Sequence, residues 1–191
     1  MVRARSSGKD RVVASVESLH RSSSHDFSKA RCDRVELVAG VGVVGDAHAG
    51  PLVQHRSRVA ADPSRPNLRQ VHLIPQELLD ALADAGHDVG PGALGENVTT
   101  RGLDLHDLPA GAVLQLGDTA LVALTGLRNP CRQIEAFRSG LLAHVRPRGE
   151  DGSVRLRAGV MGVVVLGGVV EVGDAIEVTL PPGPPRPLER V

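Results

Sequence analysis

Val113-Leu-Gln-Leu-Gly-Asp-Thr-Ala-Leu-Val-Ala-Leu-Thr125 is the stretch on which the fold turns. Two short apolar runs, 113–116 and 120–125, flank Gly117-Asp118, and such runs across a tight turn predict a β-hairpin. Residues 173–180, Gly-Asp-Ala-Ile-Glu-Val-Thr-Leu, repeat 117–124 as G-D-x-x-x-V-x-L, which reads as one turn chemistry used twice. Working outward, strands are expected at 11–19, 35–44, 69–74, 160–166, 169–172 and 176–180, and a further one after the glycine turn at Gly92. Two helices are expected. One runs from Pro75 to Ala85 with Leu78, Leu82 and Ala85 on one face. The other starts at Asn129-Pro130, with Ile134, Phe137, Leu141 and Val145 at helical spacing. Many short strands with few short helices predict a mainly β chain, a closed or nearly closed β-barrel. Residues 18–34 and 45–68 read as loops. The chain divides into a disordered tail (1–10), the barrel domain (11–180) and a proline-rich extended tail (181–191) that does not pack.

Composition narrows the function. The 191 residues carry 22 basic and 22 acidic side chains, so no net field recruits nucleic acid or an anionic membrane. Lys9 and Lys29 are the only lysines, so arginines supply almost all the positive charge. Phe27 and Phe137 are the only aromatics of the Phe, Trp, Tyr class, which excludes stacking platforms for single-stranded nucleic acid. Two cysteines, Cys32 and Cys131, make no disulfide framework. The N-terminus has no apolar stretch of the secretory kind, and the apolar run 158–170 is too short to span a bilayer. A cytoplasmic protein with no membrane partner is expected. No P-loop pattern G-x-x-x-x-G-K-S/T occurs.

Cys131 is the most informative residue. With Asn129 as N-cap and Pro130 at the first helical position, Cys131 is expected second, where free N–H groups and the helix dipole favour a thiolate. Arg128 and Arg132 flank it and act in the same direction. Such a thiolate serves as nucleophile, sulfur carrier or soft-metal ligand; the alternative is a cysteine that fills core three residues before Ile134. Gly95-Glu96-Asn97 ends a glycine turn, offering N–H groups to an anion or simply turning the chain. Gly45-Asp46-Ala47-His48-Ala49-Gly50 supplies a substrate- or anion-binding loop. Zinc on His48 and His55 with His72 or Cys131 lacks any supporting ligand spacing. Arg56, Arg58 and Arg69 suit bidentate phosphate binding.

Taken in order, Gly-Asp-Ala-His-Ala-Gly (45–50), Gln-Val-His-Leu-Ile (70–74), Leu-Gly-Glu-Asn-Val-Thr-Thr-Arg-Gly (94–102), Leu-Pro-Ala-Gly-Ala-Val-Leu-Gln-Leu-Gly (108–117) and Thr-Gly-Leu-Arg-Asn-Pro-Cys (125–131) resemble the MOSC domain. That module is named for the C-terminus of molybdenum cofactor sulfurases. The resemblance runs from about Val12 to Leu180 and implies a β-barrel whose cysteine carries sulfur or ligates the molybdenum of a pterin cofactor. Matched onto this chain, Cys131 is the molybdenum ligand or persulfide carrier. Gly95, Glu96 and Asn97 face the cofactor, Asp46 and His48 form the pocket rim, and Arg69 and Arg128 suit the pterin phosphate. Three roles follow from the resemblance: a reductase of N-hydroxylated compounds, a sulfur carrier using a Cys131 persulfide, or a non-catalytic cofactor-binding module. A small-molecule substrate and a separate electron-donor protein or cysteine desulfurase are the implied partners, because the chain has no ferredoxin-like cysteine set. Pyridoxal phosphate, used by desulfurase modules joined to this family, is not expected, since Lys9 and Lys29 lie outside the matched motifs.

Overall fold

The computed structural model describes residues 14–191, apart from the side chains at 56 and 57. The expected 1–10 tail and the start of the 11–19 strand lie outside the described residues. The elements run β1 (Ser15–Arg21), β2 (Ala30–Cys32), β3 (Arg34–Val38), β4 (Gly42–Val43), α1 (Arg56–Ala61), β5 (Val71–Pro75), α2 (Gln76–Asp84) and β6 (Val98–Arg101). They continue as β7 (Val113–Leu116), β8 (Ala120–Leu127), α3 (Arg132–Phe137), α4 (Leu141–Val145), β9 (Val160–Leu166), β10 (Gly168–Glu171) and β11 (Ile176–Thr179).

The 113–125 hairpin forms as its sequence predicts, with Val113 opposite Ala123 and Leu116 opposite Ala120. Along β8, Ala120, Val122, Leu124 and Gly126 are buried while their neighbours are half-exposed, the period of two that a sheet with one wet face requires. An eight-stranded sheet runs β11-β7-β8-β9-β5-β6-β1-β2, and a three-stranded sheet runs β10-β3-β4. Every residue of the central strand β5 is buried. Leu73 points to the larger core with Val98, Leu114, Val122 and Val160. Ile74 faces the other side and packs under α2, α3 and α4 with Leu78, Leu82, Ile134 and Leu141. Each such fully buried leucine or isoleucine contributes about 1.5–3 kcal/mol.

The chain is mainly β with a few short helices, but among the described residues no sheet closes into a barrel. The free edge of β1 is shared out. Its last residues pair with β2, while near its start Ser15 bridges Ala175 beside β11, with Val16 N–H donating to Asp174 O, Gly173 N–H to Val16 O and Ile176 N–H to Ala14 O, each at 2.8 Å. Four local expectations are corrected. The 18–34 loop contains the end of β1 and all of β2, and the 45–68 loop contains α1. The single helix after Pro130 is two short ones, because Gly140 takes a left-handed backbone with φ 81° between α3 and α4. The proline-rich C-terminal segment packs: Leu188 is buried, and Glu189 O accepts from Leu127 N–H at 2.7 Å.

Candidate functional site

Two glycines bring the site together. Gly92 and Gly95 sit at φ 82° and 80°, a backbone that side chains resist. A Cβ on Gly92 would stand 2.6 Å from the His20 ring, and one on Gly95 would stand 2.6 Å from Phe27 O. The 90–95 turn therefore presses directly on the 20–29 segment. Lys29 N–H donates to Gly92 O at 2.9 Å and Ser28 Oγ to Ala93 O at 2.8 Å.

This seating delivers Lys29 to Asp46. Their Nζ–Oδ2 distance is 2.6 Å, with the side chains only 4% and 2% exposed. Asp46 also accepts from the His48 backbone N–H at 2.9 Å and from Asn97 Nδ2 at 2.9 Å. Burial would raise its carboxyl, but His48 and the Lys29 ammonium together hold it well below the usual range. Burial lowers the Lys29 ammonium, against the pull of Asp46 and Glu96.

Asn97 is spent inside the fold. Its Oδ1 accepts from His72 N–H at 3.2 Å, and its Nδ2 donates to His20 O at 3.1 Å as well as to Asp46. It ties β1, β5 and the 45–50 loop to one point. Glu96 Oε1 accepts from Gly92 N–H at 2.5 Å, while Oε2 is buried with no hydrogen-bond partner among the described residues. Burial raises its carboxyl.

Cys131 follows β8 and is corrected in position: it is the N-cap of α3 with extended φ −118° and ψ 173°, not the second helical residue. Its surroundings come instead from arginines. Arg128 donates to Leu94 O at 2.7 Å, lies 5.8 Å over the Phe27 ring, and has the Glu96 carboxyl and the Cys131 thiol as neighbours. Arg69 lies among Arg58, Arg128 and Cys131, and burial together with the two other arginines pulls it down to about 10. Arg69 Nε is buried with no hydrogen-bond partner, and neither Arg69 nor Arg128 has an ion pair among the described residues. Cys131 Sγ is half-buried and donates to Gln133 Oε1 at 3.3 Å.

His48 stands on the rim, its ring 5.1 Å from that of His25, which bonds Gln54 O. His55 is lowered by burial and by Arg69, His48, Arg58 and His25 around it. His72 is elsewhere engaged, Nε2 bonding Ala158 O at 2.9 Å, and among the described residues no three ligating side chains converge on a metal. Residues 45–50, 69, 92–97, 128 and 131 thus meet at one end of the fold. The sequence reading missed Lys29, His20, His25 and Phe27. Lys29 does not stand apart from the motifs but at their centre, and its rarity among so many arginines was the available signal.

The sequence matches the MOSC domain over residues 45–177. The chain belongs to the MOSC family. The structure is similar to the YuaD protein of Bacillus subtilis, with 25% identity, TM-score 0.70, and coverage of 87% of this chain and 96% of that one. YiiM of Escherichia coli shares the fold at 21% identity and TM-score 0.56, over 91% of this chain and 71% of its own. YiiM of Geobacillus stearothermophilus does so at 17% identity and TM-score 0.57, over 87% and 75%. No curated protein sequence matches significantly. The MOSC family is associated with the molybdenum cofactor in general. Among the described residues, no helix is long and apolar enough to cross a membrane.

Proposed function

We propose that this MOSC protein binds the molybdenum cofactor through Cys131 and reduces N-hydroxylated compounds. The observation that supports this reading is the pair of arginines beside Cys131, neither in a salt bridge among the described residues, one with a buried Nε that has no hydrogen-bond partner there. A buried donor without an acceptor is costly, and an anion there removes the cost. Guanidinium forks match phosphate oxygens, so Arg69 and Arg128 would hold the phosphate of the pterin. Cys131 supplies the soft sulfur ligand that molybdenum takes. When bound, the cofactor supplies two-electron redox chemistry. Lys29 and Asp46 hold the 45–50 loop and place His48 at the rim, where it binds and orients the substrate. Electrons come from a separate donor protein.

Expression in a host that makes molybdopterin, followed by oxidative release of the pterin, tests this. Stoichiometric pterin is expected in the wild type and little in Cys131→Ser, with reduction of an amidoxime when an electron donor is added. No pterin in either protein would overturn the reading. A mass gain of one sulfur atom on Cys131, removed by reductant, would then assign a sulfur carrier fed by a cysteine desulfurase. Tight pterin binding without turnover would leave a cofactor-binding module.

A further inference from the structure

A cleft of about 970 Å³ lies where the C-terminal segment, the 147–157 hairpin and the turn at 104–107 meet, and it shares no lining residue with the Cys131 site. Arg148, Arg155, Arg157 and Arg190 line it. None of them has a carboxylate oxygen within 4.0 Å among the described residues, although Asp104, Asp107 and Glu189 line the same cleft. Their backbones are fixed. Arg148 bridges Val154 and Arg190 bridges Leu127, while Arg155 N–H donates to Pro147 O at 3.1 Å and Arg157 N–H to Val145 O at 2.8 Å. Between the two charge types stands His106, whose backbone N–H donates to Asp104 Oδ1 at 3.1 Å. Its Nε2 is buried and has no hydrogen-bond partner among the described residues. Burial lowers its ring, with Arg157 acting in the same direction and Asp104 and Asp107 opposing.

We propose that this cleft is a second binding site, for a small phosphate-bearing molecule whose phosphate meets the arginines and whose neutral polar part bonds His106 Nε2. Planar guanidinium groups on fixed backbone suit phosphate oxygens. The volume is that of a small-ligand pocket. The interspersed carboxylates make the cleft a poor track for a long polyanion such as nucleic acid.

Inorganic pyrophosphate titrated into the full ¹⁵N-labelled chain at constant ionic strength, read by backbone amide and arginine Nε–H resonances, tests the proposal. Saturable shifts are expected at His106, Leu127 and Arg157, with a Kd below about 1 mM. Arg157→Gln/Arg190→Gln weakens binding about tenfold or more. Arg69→Gln, at the Cys131 site, leaves these shifts and their Kd unchanged. Shifts that grow linearly without saturating, shifts confined to the Cys131 site, or an unchanged Kd in the double variant would each overturn it. The wild-type map decides even where a variant does not fold.

Discussion

Replacing Asp46 by alanine is expected to cost the fold about 3–5 kcal/mol, the range for removing one partner of a buried ion pair. Lys29 Nζ lies 2.6 Å from the lost carboxylate with a side chain 4% exposed, so its ammonium is left buried and uncompensated. Asn97 Nδ2 and the His48 N–H lose an acceptor at the same time. Asp46→Ala/Lys29→Met removes both charges, so it is expected to be more stable than the single variant. The single variant also strengthens a pH signature that the wild type already carries. Burial lowers Lys29 in the folded state, and Asp46 no longer opposes this. The unfolded chain then holds the proton more readily, so stability rises with pH from the folded value up to about 10.4. Guanidinium unfolding followed by far-ultraviolet circular dichroism measures this, since the chain has no Trp or Tyr to report by fluorescence. A loss below about 1 kcal/mol, the scale of an exposed pair, would refute the reasoning. So would a double variant no more stable than the single one.

Gly92→Ala is expected to destabilise by more than about 2 kcal/mol in the same assay, because its Cβ meets the His20 ring and Lys29 O. Gly86→Ala, at φ 85° with nothing within 4 Å, costs only the left-handed backbone, about 1–2 kcal/mol. His20 is lowered from 6.5 to about 4, first by burial and then by Arg31 and Lys29, so its folded state resists protonation. Stability is therefore expected to be full above pH 6.5 and to fall as pH drops toward 4, with the His20 ring resonance titrating near 4 by NMR. Ile134→Ala, at the fully buried position of α3, is expected to cost about 2–5 kcal/mol and to lower pterin loading without touching any cofactor ligand. Loading equal to wild type in the folded fraction would show that α3 does not position Cys131.

The strands at 113–116, 120–125, 160–166 and 176–180 were legible because each is a short apolar run bounded by turn residues, a pattern set by local sequence. The ordered motifs ending in Pro130-Cys131 were legible as a family resemblance for the same local reason. Each is a short run whose glycines and polar residues must stand at fixed offsets. Helix continuity past Phe137 misled, since Ile134, Phe137, Leu141 and Val145 keep helical spacing across a break that Gly140 makes. Barrel closure also lay outside the local pattern, because hydrogen-bond register between β1, β2 and residues 173–176 is settled only when distant segments meet.

The site divides the same way. By itself the sequence determined a mainly β chain, balanced in charge and poor in aromatics, with a cysteine set between arginines. Tertiary structure decided what those residues do. It spent Asn97 on three hydrogen bonds within the fold, drew the solitary Lys29 from outside the motifs onto Asp46, and left Arg69 and Arg128 unpaired beside Cys131. Burial and pairing depend on which segments pack together, and a linear sequence states the charges without stating their neighbours.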